Sequence, residues 1–132
     1  MTSVEIGLIS PCFIVRNTPA SLAFYRDRLG FTVTHQDDPV EPVLGIVQRG
    51  GAMLMFKDVG VPALPNSRRH EWARWDAYLY VPDPDALAAE FSSRQVKFSA
   101  PLKNSADGLR GFELQDVDGY ILFFGRPWPA TT

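Results

Sequence analysis

Ile14-Val15-Arg16-Asn17 runs into Thr18-Pro-Ala-Ser-Leu-Ala-Phe-Tyr25, and the same figure returns at Tyr80-Val81-Pro82-Asp83 followed by Pro84-Asp-Ala-Leu-Ala-Ala-Glu-Phe91. In both places a short apolar run of β type meets Asn or Asp, and an amphipathic helical pattern follows. Asn17 and Asp83 suit a helix N-terminus, where a side-chain oxygen can take a free amide and proline is tolerated in the first turn. The two caps lie 66 residues apart, and Tyr25 and Phe91 keep that spacing. A second echo closes each half: Gly51-Ala-Met-Leu-Met-Phe56 matches Gly119-Tyr-Ile-Leu-Phe-Phe124, 68 residues on. Each is a glycine turn feeding an apolar strand. Two echoes in the same order identify an internal duplication.

Working outward, strand-like segments fill the space between helix and closing strand: Phe31–His35 and Leu44–Gln48 in the first half, Lys97–Ser99 and Gly111–Gln115 in the second. The pattern predicts an α+β domain of two βαβββ modules forming a cupped mixed sheet. Module 1 spans about 5–57, a linker about 58–75 and module 2 about 76–126. Alternation along a strand puts Phe13 and Val15 on one face and Cys12 and Ile14 on the other. In the second half Ala77, Leu79 and Val81 form a purely apolar face, suited to packing beneath a helix. Asp76, Tyr78 and Tyr80 form the opposite face, suited to a wet concavity.

A chain of 132 residues fits one domain, and 45% apolar residues predict a packed core. The charge of −2, from 13 basic and 15 acidic residues, gives no electrostatic reason to expect nucleic acid or an anionic membrane. Cys12 is the only cysteine, so a disulfide-stapled secreted scaffold is excluded. The start Met1-Thr-Ser-Val-Glu5 has no basic region, and Ser10–Pro11 breaks the apolar run after it, which argues against a secretory leader. No stretch approaches the roughly 20 apolar residues of a membrane span. The cytoplasm is the expected location.

The stretches Ser21-Leu-Ala-Phe-Tyr-Arg-Asp-Arg-Leu-Gly-Phe31 and Asp116-Val-Asp-Gly-Tyr-Ile-Leu-Phe-Phe-Gly125 resemble the helix-plus-"FY…LGF" signature and the "DPDG" turn and last strand of the glyoxalase/bleomycin-resistance/dioxygenase (vicinal oxygen chelate) superfamily. Val117 replaces the usual proline, and Gln95 stands where the second half commonly has glycine. In the family's metalloenzymes, three or four His or Glu side chains from the first and last strand of each module hold a divalent metal. Counting from Tyr25 and along the repeat, those positions fall on Ser10, Met55, Asp76 and Phe123. Phe cannot ligate, Met suits soft ions and neutral Ser is a poor donor to a hard ion. The resemblance therefore implies no metal, no cofactor and no catalytic residue here. It implies instead the bleomycin-resistance-like branch, with Pro11 at that branch's N-terminal proline, and a homodimer holding small molecules in crevices between subunits. Bleomycin itself is cationic, and this near-neutral chain lacks a strong negative field to attract it.

The expected ligand-binding set is Ser10, Cys12, Met55, Trp72, Trp75, Asp76, Tyr78, Tyr80, Arg110 and Phe123. Asp76 is an acceptor for a cationic or hydroxylated ligand, or a strand-end carboxylate paired with Arg74 or Arg110. Trp72, Trp75, Tyr78 and Tyr80 are aromatic walls of a pocket, or ordinary core. Met55 and Phe123 read as cavity floor, and Cys12 as a small buried hydrophobe. Arg110 could reach an anion or form a surface ion pair. Glu113 faces either the interior or solvent, and His35 and His70 read as surface residues. The function expected is small-molecule binding, an antibiotic or a metabolite. The alternatives are a metal-dependent lyase, isomerase or dioxygenase with unconventional ligands, and a metal-free enzyme with Asp76 or Glu113 as base.

Overall fold

Asn17 and Asp83 cap helices as their neighbours require: the Ala20 amide donates to Asn17 Oδ1 at 2.9 Å and the Ala86 amide to Asp83 Oδ1 at 3.0 Å. In the computed structural model, which describes residues 3–129, the chain order is β1 (Cys12–Ile14), α1 (Thr18–Asp27), β2 (Thr32–Gln36), β3 (Leu44–Arg49), β4 (Ala52–Lys57), α2 (Asn66–Arg69), β5 (Ala77–Tyr80), α3 (Pro84–Ser93), β6 (Phe98–Asn104), β7 (Leu109–Gln115) and β8 (Ile121–Pro127). Met1 and Thr2, the start of the segment read above as leaderless, lie outside the described residues. The short α2 inside the linker has no periodicity from which a sequence reading could find it.

Each module forms its own four-stranded mixed sheet, ordered β1-β4-β3-β2 and β5-β8-β7-β6. In both, the first strand runs parallel to the last and the remaining pairs are antiparallel. The two first strands, β1 and β5, are therefore edge strands. Helix α1 covers one face of the first sheet through Leu22 and Tyr25, and α3 covers the second through Ala88 and Phe91. Alternation sorts the rest: Phe13, Val15 and Leu79 are buried, whereas Cys12, Ile14 and Tyr80 are exposed.

The helix exits repeat as well. Gly30 follows α1 with φ 71°, and Gln95 follows α3 with φ 63°, the one non-glycine among the described residues in that region. A Cβ is strained there, so Gln95→Gly is expected to raise stability by up to about 1 kcal/mol despite the freedom glycine adds to the unfolded chain. A lowered urea midpoint would contradict this.

Two clamps join the modules. At one, the Asp116-Val-Asp-Gly119 turn of module 2 grips α1 and β1. Tyr25 Oη donates to Asp116 Oδ2 at 2.8 Å, Arg16 Nε donates to Asp118 Oδ1 at 2.9 Å, and Tyr120 stacks on Phe13 at 4.4 Å. At the other, Arg49 donates twice to Glu90 of α3, each bond 2.8 Å, and also to the Leu29 carbonyl. Burial pushes the Asp116 carboxyl up to about 6, against the lowering effect of Tyr25 and of the Asp118 and Tyr120 amides.

Candidate ligand-binding site

The β7–β8 hairpin sets the site. Its register places Glu113 opposite Phe123 and Gly111 opposite Gly125, while the parallel β5–β8 pair places Tyr78 beside Phe123 and Tyr80 beside Gly125. All six positions share the sheet face turned away from α3. The two glycines leave space that the Phe123 ring fills by lying flat along the sheet. A Cβ on Gly111 would come within 2.6 Å of its Cζ, and one on Gly125 within 2.5 Å of its Cε1. Trp75 stacks on the other face of that ring, centroids 4.2 Å apart and planes 23° apart. Tyr78 continues the row at 5.2 Å from Phe123, and Tyr80 lies 4.4 Å from Tyr78. The Tyr78 hydroxyl oxygen is buried with no hydrogen-bond partner, and burial, with the neighbouring Tyr80, holds its pKa above the usual tyrosine range.

Beside this row lies Glu113, 6% exposed. Arg74 Nη2 donates to its Oε1 at 2.7 Å and Trp75 Nε1 to its Oε2 at 2.7 Å, while Arg74 Nε and Ser99 Oγ sit at 3.4 Å. Burial alone would raise the Glu113 carboxyl, but the Arg74, Trp75 and Ser99 donors outweigh it and hold the group below its ordinary value. A base needs a pKa near working pH, so this carboxylate is badly placed for the base role the sequence left open. Its evident task is to fix Trp75 and Arg74. The crevice they frame measures about 690 Å³ and is completed by Trp72, by Ala100 and Lys103 of β6, and by Asp107. A second groove of about 980 Å³ runs along the free edge of β5, between the Gly50–Leu54 turn and α3, and is lined mainly by apolar side chains.

The ten sequence candidates separate in space. Trp72, Trp75 and Phe123 line the crevice, with Trp72 at its rim and 85% exposed. Tyr78 and Tyr80 follow along the β5 edge and line the second groove rather than the crevice. Cys12 and Met55 are register partners on the uncovered face of the other sheet, and Cys12 is exposed rather than buried. Ser10 precedes β1 and donates to the Pro11 carbonyl. Asp76 precedes β5, and its oxygens accept the Asn66 and Ile121 amides, each at 2.8 Å, joining the linker helix to β8. It pairs with neither Arg74 nor Arg110. Arg110 takes the second of its two readings, an ion pair at the surface. Strand alternation turns it to the helix side of β7, where it grips Asp85 of α3 at 2.7 and 2.8 Å. Sequence reasoning offers Arg74 only as a partner for Asp76 and leaves Glu113 unassigned; counting back from the Asp116–Gly119 turn sets Glu113 opposite Phe123.

A duplicated βαβββ chain with first and last strands parallel, and the Asp116–Gly119 turn locking the modules, is matched by one family description, the Glyoxalase/Bleomycin resistance protein/Dioxygenase superfamily, over residues 7–124. The chain belongs to that superfamily. Solved structures share its architecture at low identity. TioX from Micromonospora sp. ML1 is 15% identical with a TM-score of 0.73, over 92% of this chain and 98% of that one. The bleomycin-binding protein of bleomycin-producing Streptomyces verticillus, complexed with copper(II)-bleomycin, is 24% identical with a TM-score of 0.67, over 92% and 97%. TnmS3, an antibiotic binding protein from Streptomyces sp. CB03234, is 19% identical with a TM-score of 0.68, over 96% and 99%. No curated protein matches the sequence.

The superfamily's metal site can be tested against the residues present. First and last strands meet at Cys12–Met55 and at Tyr78–Phe123. The register thus sets Cys12 and Tyr78 beside the last-strand positions, two residues beyond the counted Ser10 and Asp76. Among the described residues no three His, Cys, Asp or Glu side chains converge. Glu113, the one carboxylate on the crevice face of β7, is taken by Arg74 and Trp75. These residues do not fit a divalent metal.

Proposed function

We propose that the protein is a non-catalytic small-molecule binding protein, acting as a homodimer, whose crevice on the second sheet takes a partly aromatic antibiotic or metabolite. The observation that carries this is the stacked pair Trp75–Phe123, which lines the crevice and is held by Glu113 through the Trp75 indole N–H. Rigid aromatic walls with a few fixed polar groups are what planar ligands need, because little freedom is lost on binding. The likeness to the bleomycin-binding protein and to the antibiotic binding protein TnmS3 supports the same reading.

Support for a second copy comes from surfaces that a monomer leaves wet. In the segment before β1, Val4 and Ile6 are each 93% exposed and Ile9 is 87% exposed. The uncovered face of the first sheet carries Cys12, Ile14, Ile46, Met53 and Met55. An apolar arm, a free β5 edge and an apolar groove beside it suit pairing between copies. Among the described residues no helix is long and apolar enough to cross a membrane.

The test is a titration of tryptophan fluorescence against planar antibiotics and aromatic metabolites, alongside sedimentation. At least one saturable quench and a mass of twice 14.7 kDa are expected. No response across the panel, or a monomer at micromolar concentration, would count against the corresponding half of the proposal.

A further inference from the structure

The charges around the crevice are unequally presented. Glu113 has a side chain only 8% exposed, whereas the Arg74 side chain is 48% exposed. Two carboxylate oxygens offer about four acceptor sites, and Arg74 Nη2, Arg74 Nε, Trp75 Nε1 and Ser99 Oγ already surround them. These donors take up the acceptor capacity of the carboxylate. Arg74 Nη1, in contrast, carries two N–H groups that no hydrogen bond among the described residues uses. At the rim Lys103 and Asp107 are both exposed and opposite in charge. The first fixed charge a ligand meets against the aromatic row is therefore a guanidinium, with the balancing carboxylate behind it.

From this we infer that the crevice selects anionic and neutral aromatic ligands against cationic ones, and that Arg74 is the residue that sets the choice. The inference rests on the reading of this crevice as the ligand site. A cationic ligand has either to sit beside the Arg74 charge or to displace it from Glu113, and both disfavour it. An anionic ligand accepts from Nη1 while the Arg74–Glu113 bonds stay intact. The ring stacking is common to all three classes, so charge alone decides among ligands of one skeleton.

Three anthracene probes test this on the full chain: anthracene-9-carboxylate, anthracene-9-methanol and 9-(methylaminomethyl)anthracene, followed by probe anisotropy at pH 8 and low salt. The carboxylate is expected to bind about tenfold or more tighter than the amine, with the alcohol between them and the gap narrowing as salt rises. Arg74→Met bares Glu113 and should invert the order, and adding Glu113→Gln should make the three probes alike. Should Arg74→Met fail to fold, Arg74→Gln keeps a donor to Glu113 without the charge and should erase the preference for the anion. An amine that binds the wild type as tightly as the carboxylate, or an order unchanged without Arg74, overturns the inference while leaving the site standing. Failure of all three probes to bind overturns the site reading, and this inference falls with it.

Discussion

Asp116→Ala is expected to destabilise the protein by about 3–5 kcal/mol at pH 4, because it strands the hydroxyl of Tyr25, which is 0% exposed, and two amides of the turn. Asp116→Asn should behave differently. Its carbonyl oxygen can take the Asp118 and Tyr120 amides and its amide can donate to Tyr25, so near wild-type stability is expected at pH 4. The sign of the pH effect follows from the carboxyl's rise from 3.8 to about 6. A raised carboxyl contributes stability that is fully present below the unfolded value and lost as pH climbs through the folded one. Wild type should therefore lose ground to Asp116→Asn between pH 4 and 7, by on the order of 2 kcal/mol. Urea unfolding of both proteins across that range measures the difference directly, since carboxyls held low, such as Glu113 and Glu90, cancel between them. A difference independent of pH would contradict the assignment of a buried carboxyl with a raised pKa at the module joint.

Trp75→Ala carries the largest expected effect on binding. It removes the ring stacked on Phe123 at 4.2 Å and one of the two short bonds to Glu113. Loss of one aromatic wall is worth about 2 kcal/mol, or roughly 30-fold in affinity, for a probe such as anthracene-9-carboxylate. Trp75→Phe keeps the wall and loses the indole N–H, so a loss of only a few-fold is expected. Trp72→Ala, at an 85% exposed rim position, should cost less than about threefold. Equal losses at positions 72 and 75 would mean that the aromatic row is not what holds the ligand.

The parts of this molecule that were legible in its sequence are those fixed by short-range rules. Asn17 and Asp83 announced two helices because capping is a contact over three residues. Alternation sorted Phe13 from Cys12 and Leu79 from Tyr78 because side chains on a strand have a period of two. The same period keeps Ser10 and Asp76, counted back from the helices, in phase with Cys12 and Tyr78, which the strands set beside Met55 and Phe123. Alternation fixes the face, but position along a strand depends on register with its neighbour, here Cys12 with Met55 and Tyr78 with Phe123. Arg110 and Glu113 show that limit at close range. They are three residues apart on β7, on opposite faces, and only the count from the β7–β8 turn tells which enters the crevice. The Arg74–Glu113 pair was harder still, since it joins a linker residue to a strand 39 positions away.

The proposed ligand site lies against Trp75 and Phe123. The most direct test follows the three indole N–H resonances, those of Trp72, Trp75 and Trp128, while anthracene-9-carboxylate is added. The Trp75 signal, from the indole N–H bonded to Glu113, is expected to move saturably and by more than the other two. A Trp75 signal that stays fixed while the probe binds and shifts Trp72 or Trp128 would contradict it.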